Sequence, residues 1–156
     1  MGRPRAFLIL EDGSARTPEG IGVELVQVPG WSPFDLYSRK YPTREAWALR
    51  LGDQTVEFGR GRAALIRPAV VIPASEVARR HCRIMPGDES YFVQDLHSTG
   101  GIGLNDTHAA NRGEPIALRS GDYFFVGGYA DRRLVYLDER GPRPTWAAPL
   151  FAGPQA

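Results

Sequence analysis

AVVIPASEVARRHCRIMPGDESYFVQDLHSTGG, Ala69–Gly101, contains three short apolar runs separated by turn formers. AVVIP (Ala69–Pro73), HCRIM (His81–Met85) and YFVQDL (Tyr91–Leu96) are rich in β-branched and aromatic residues, and PGDES lies between the last two. Runs of this length bounded by Gly, Pro, Asp and Ser clusters read as strands joined by turns. SEVARR has no repeated apolar stripe, so it predicts one helical turn at most.

The same reading extends both ways along the chain. AFLIL (Ala6–Leu10), GVELVQV (Gly22–Val28), WALRL (Trp47–Leu51), TVEFG (Thr55–Gly59), PIAL (Pro115–Leu118), YFFVG (Tyr123–Gly127) and RLVYL (Arg133–Leu137) are further strand candidates. The 18 glycines and 13 prolines are spread throughout, which disfavours long helices. The fold class is therefore all-β, an antiparallel β-sandwich. At 156 residues, one core is expected.

Charge and cysteine content narrow the function. Nineteen basic against 18 acidic residues leave a net charge of +1, which argues against coating nucleic acid or an anionic membrane. A basic site must be local. The lone Cys82 allows no internal disulfide and no thiolate zinc site, which fits a reducing cytoplasm. AFLIL stops at Glu11, too short for a signal-peptide core, and no stretch is long enough to span a bilayer. His81, His97 and His108 lack metal-ligand spacing. His97 and Ser98 are adjacent, so on a strand they point to opposite faces and form no catalytic pair. No cofactor, metal or catalytic residue is predicted.

Two end segments differ from the middle. GWSPFDLYSRKYPTREAW, Gly30–Trp47, interleaves five aromatics with Arg39, Lys40 and Arg44, a mix capable of stacking on bases but better suited to laying aromatics on a sandwich. The tail, Gly141–Ala156, is too proline-rich for an obvious helix or strand, yet carries Trp146, Leu150 and Phe151. These apolar anchors predict docking on a hydrophobic groove, on a partner or second copy rather than open solvent, while the sequence leaves open whether the end segments wrap their own domain or a neighbour's. The expected division is an N-terminal extension (1–44), a sandwich (45–140) and a tail (141–156).

From Trp47 to Asp138 the order of motifs resembles a forkhead-associated (FHA) domain, a β-sandwich that binds phosphothreonine peptides with loops at one end. FGR (Phe58–Arg60) resembles the family's opening hairpin, and VARRH its Ser-Arg-x-His element. DLHSTGGIGLN (Asp95–Asn105) resembles the apical turn, and LRSGDYFFVGG (Leu118–Gly128) the closing element. The resemblance implies a phosphopeptide- or partner-binding face made by Arg60, Ala78, Arg79, Ser98, Thr99 and Gly100. It implies that Gly59, His81, Gly101 and Asn105 support the loops. A phosphothreonine carries about −1.5 to −2 charges and three acceptor oxygens, which suits a guanidinium, hydroxyls and free backbone amides.

The departures from the family pattern fall on the ligand contacts. Ala78 stands where the family has its phosphate-binding serine, Gly100 where it has the asparagine that holds the peptide, and Ile102 replaces a threonine. One lost hydrogen bond to a charged group costs roughly 1.5–3 kcal/mol, or one to two orders of magnitude in affinity. The sequence therefore predicts a non-catalytic assembly subunit that docks on proteins, within a larger complex, without requiring phosphorylation. A phosphothreonine-dependent adaptor is the alternative, and acidic partner surfaces suit the remaining Arg60, Arg62, Arg79 and Arg80.

Overall fold

The computed structural model describes residues 2–10, 25–27, 47–61, 70–72, 77–78, 80–96, 98, 102–105, 113–126, 133–143 and 147–152. Its strands are β1 (Ala6–Leu10), β2 (Leu25–Gln27), β3 (Trp47–Leu51), β4 (Val56–Gly59), β5 (Val70–Val71) and β6 (Cys82–Pro86). They continue with β7 (Tyr91–Asp95), β8 (Ile102–Leu104), β9 (Ile116–Ala117), β10 (Tyr123–Val126) and β11 (Arg133–Asp138), and a short helix α1 (Ala148–Phe151) follows. Six strands form one sheet in the order β2-β3-β1-β11-β10-β8, and five form the other, β5-β4-β6-β7-β9. All the pairs are antiparallel except β4–β5, which is parallel and makes the second sheet mixed. β8 falls within the stretch that the sequence reads as an apical turn.

The inter-sheet core follows from alternation along the strands. Val56, Phe58, Ile84 and Val93 of one sheet meet Leu8, Leu49, Phe124 and Tyr136 of the other, all at most 4% exposed. On β6 and β7 the alternate residues Arg83 and Gln94 face outward, where Arg83 Nε–H donates to Gln94 Oε1 (2.8 Å) and Gln94 Nε2–H to the Gly113 carbonyl (2.9 Å).

β1 departs from the half-buried pattern: AFLIL is buried at all five positions. It lies between β3 and β11, with Leu8 opposite both Leu49 and Tyr136. Ala6, Leu8 and Leu10 enter the inter-sheet core, while Phe7 and Ile9 join Ala48, Tyr123, Val135 and Leu137 in a second cluster on the outer face of this sheet. A strand buried on both faces must be apolar throughout. The sandwich therefore begins at β1, and the expected boundary between 44 and 45 cuts through its larger sheet.

The cover over that outer face is the C-terminal segment. Ala147 is fully buried in the second cluster, and Leu150 and Phe151 pack against it. The Phe151 ring meets Phe7 edge-on, with centroids 5.0 Å apart and planes at 84°. Arg5 Nη2–H donates to the Phe151 carbonyl. Pro149 sits in the first turn of α1, where a missing N–H breaks no helical bond. The tail anchors expected on a partner or second copy, Leu150 and Phe151, are thus seated on their own sheet, because its outer face is as apolar as the core. Trp146 lies outside the described residues.

A turn at the end of β11 directs the chain into this segment. The buried Asp138 carboxylate accepts from Tyr136 O–H (2.9 Å), Arg140 N–H (2.9 Å) and Gly141 N–H (3.1 Å). Burial, then the charge of Asp138, pushes the Tyr136 phenol well above its usual range. Ser120 Oγ accepts from Asp138 N–H (2.9 Å) and donates to the Pro142 carbonyl (2.8 Å). A Cβ on Gly141 would lie 2.7 Å from Ser120 Cβ, so only glycine fits there.

Candidate functional site at the apical end

The pairing Phe58↔Cys82↔Asp95 brings the ends of β4, β6 and β7 together. Beyond it, backbone bonds tie the loops to one another. Arg60 N–H donates to the Ala78 carbonyl, His81 N–H to that of Phe58, Ile72 N–H to that of Gly59, and Leu96 N–H to that of His81, each at 2.9 Å. Gly61, at φ 75, turns the chain away immediately after Arg60, a conformation that favours glycine.

His81 is fully buried, and its Nδ1 accepts the Ala78 N–H at 2.9 Å. An accepting Nδ1 places the ring proton on Nε2. Both backbone groups of Ala78 are therefore engaged, the N–H with His81 and the carbonyl with Arg60, which leaves a methyl as its remaining group. Arg60 is half-buried, and its buried Nε has no hydrogen-bond acceptor among the described residues. A desolvated guanidinium donor without an acceptor is costly, and an anionic group supplied by a ligand relieves that cost.

Ser98 faces the other way. It is 1% exposed, its hydroxyl donates to Asp95 Oδ1, and its N–H donates to Asp95 Oδ2 at 3.3 Å. The expectation that Ser98 contacts a ligand is corrected on this ground: its hydroxyl is spent inside the turn, satisfying a carboxylate that is itself 1% exposed. Cys82 pairs with Asp95 across the strands, and burial first, then the charges of Asp95 and Glu57, hold its thiol far above the usual range. It is a protonated core residue.

Arg80 also leaves the site. Its Nε and Nη2 donate to Glu57 Oε1 (2.7 Å) and Oε2 (3.1 Å), and this pairing raises the guanidinium pKa. Asn105 immediately follows β8 and supports a loop other than the apical turn. At φ 54 its Oδ1 accepts Tyr123 N–H (3.1 Å) and its Nδ2–H donates to Asp122 Oδ1 (3.2 Å), bracing the turn before β10. That turn is closed by Asp122 Oδ2 accepting Arg119 N–H at 2.8 Å.

Arg60, Ala78 and His81 are thus brought together with the Asp95–Ser98 turn. Arg79, Thr99, Gly100, Gly101, Arg62 and His97 lie outside the described residues. The support role of Asp95 had one signal in the sequence, a serine three residues later, the spacing at which an Asp side chain closes its own turn. Among the described residues no group of three His, Cys, Asp or Glu side chains is placed to hold a metal, and no helix is long and apolar enough to cross a membrane.

Residues 56–127, from the start of β4 to just past β10, match the family model of the FHA domain. The chain carries an FHA domain. Solved FHA domains share the fold. One from Arabidopsis thaliana superposes with a TM-score of 0.55 at 20% identity, covering 92% of this chain and 95% of its own. The FHA domain of the CT664 protein of Chlamydia trachomatis gives 0.54 at 15% identity, over 86% of this chain and 97% of that one. A third, from a study of phosphothreonine-dependent FHA domain interactions, gives 0.50 at 21% identity, over 90% and 98%. No curated protein sequence matches the chain. FHA domains are protein–protein interaction modules, and this one has the family's sandwich with the apical loops bound together around His81.

Proposed function

We propose that this chain is a non-catalytic adaptor or assembly subunit whose apical loops dock on a protein partner through Arg60 without requiring a phosphate. One observation carries this reading: Ala78 offers an anion neither a hydroxyl nor a free N–H, because its amide is held by His81. The buried Ser98 removes a second hydroxyl from the face. Among the described residues what remains is one half-buried guanidinium, Arg60, enough to attract a carboxylate but short of the several donors that three phosphate oxygens need.

Phosphothreonine-dependent binding is the second reading. It is favoured by the Arg60 Nε, which has no acceptor among the described residues, and by the fold shared with an FHA domain studied for such interactions. Affinity capture of partners from cell extract, with and without phosphatase treatment, separates the two. The first reading expects the same partners in both, with loss on Arg60→Ala; partners that vanish with phosphatase would establish the second.

A further inference from the structure

The end of the sandwich opposite Arg60 carries a second cationic feature. A groove of about 450 Å³ opens between the N-terminal segment, the β3–β4 hairpin and the end of β11, with Arg3, Arg5, Arg50, Asp53, Tyr91 and Glu139 in its lining. Two of these guanidiniums are matched by carboxylates. Arg3 donates to Asp53 and to the Gly87 carbonyl, and Arg5 Nε faces Glu139 Oε2 at 3.9 Å.

Arg50 is exposed and has no carboxylate partner among the described residues; its guanidinium lies 5.4 Å over the Phe7 ring. Arg143 is also exposed and without a carboxylate partner among them. It lies 4.7 Å over the Phe151 ring and donates to the Asp138 carbonyl. Phe7 and Phe151 touch edge to face, and Arg5, which lines the groove, lies over the same Phe151 ring at 5.9 Å. Two guanidiniums without a carboxylate partner among the described residues are therefore held on one aromatic platform beside the groove. Rings that fix a guanidinium reduce the ordering cost of binding, which distinguishes this feature from a freely solvated basic face.

We propose that this groove is a second docking site, for an acidic peptide segment whose carboxylates bind Arg50 and Arg143. Nucleic acid fits less well: the chain's net charge is +1, and Tyr91, the ring that lines the groove among the described residues, is 4% exposed and offers no face for a base to stack on. The site is independent of the apical reading because it shares no residue with it.

The test is fluorescence anisotropy of labelled hexaglutamate against the full-length chain at low ionic strength. Arg50→Ala/Arg143→Ala and Arg60→Ala are measured in parallel, and melting is followed for each. The double variant is expected to weaken binding about tenfold or more, as expected when charge-assisted contacts are lost. Arg60→Ala is expected to leave it unchanged. The Arg50 side chain makes no hydrogen bond among the described residues, so Arg50→Ala alone retains the fold and carries a measurable part of the loss. No binding by the unmutated chain, equal binding by the double variant, loss on Arg60→Ala instead, or tighter binding of oligothymidylate than of hexaglutamate would each overturn the proposal.

Discussion

At the scale of single residues, the site is defined by what its neighbours leave available. Ala78 is engaged at both backbone groups, so restoring a donor requires a side chain. Ala78→Ser with Gly100→Asn is expected to create or strengthen phosphothreonine binding by about 1–3 kcal/mol per substitution, measured by calorimetry with unphosphorylated peptide as control. Ser98→Ala strands the buried Asp95 carboxylate, and urea melts should show a loss of about 1–3 kcal/mol. Cys82 gives a pH signature. Its thiol pKa is raised by folding, so its contribution is fully present below the unfolded thiol pKa of about 8.5 and declines above it, by up to about 1.4 kcal/mol per pH unit. Stability measured from pH 7 to 10 should fall more steeply for the natural chain than for Cys82→Val, and parallel profiles would show that the thiol ionises freely in the fold. The order of the loop motifs was legible in the sequence. The direction of Ser98 was not, because a serine's exposure depends on whether a nearby carboxylate folds in beneath it.

At the scale of elements, strand positions were legible because turn formers bracket each apolar run. β8 was missed because its three residues, Ile102–Leu104, are too short and glycine-rich to show a period. The seating of the ends was not legible. The uninterrupted apolar run of β1 is the mark of a strand covered on both faces, and the apolar tail is one of its covers. Pairing of the two cannot be read locally, since β1 and α1 are separated by nearly the whole chain. Leu8→Ala, in the inter-sheet core, should cost about 2–5 kcal/mol. Phe151→Ala, at the half-buried cover, should cost about 1–2 kcal/mol in chemical denaturation. An unchanged midpoint for Phe151→Ala would mean that the tail does not hold its seat in solution.

At the scale of the whole molecule, the two sheets are finished differently. The five-stranded sheet turns a polar ladder outward, Arg80–Glu57 and Arg83–Gln94, while the six-stranded sheet carries a second apolar cluster on its outer face, covered by the tail. The proposed ligand face falls to the strand ends, where Arg60 is a half-buried cation beside Ala78 and the Asp95–Ser98 turn. The most direct test of phosphate-independent docking is titration calorimetry of the unmutated chain against a phosphothreonine peptide library and its unphosphorylated counterparts. The prediction is weak or undetectable binding with little difference between the two sets. Tight binding of phosphorylated peptides alone, abolished by Arg60→Ala, would contradict it.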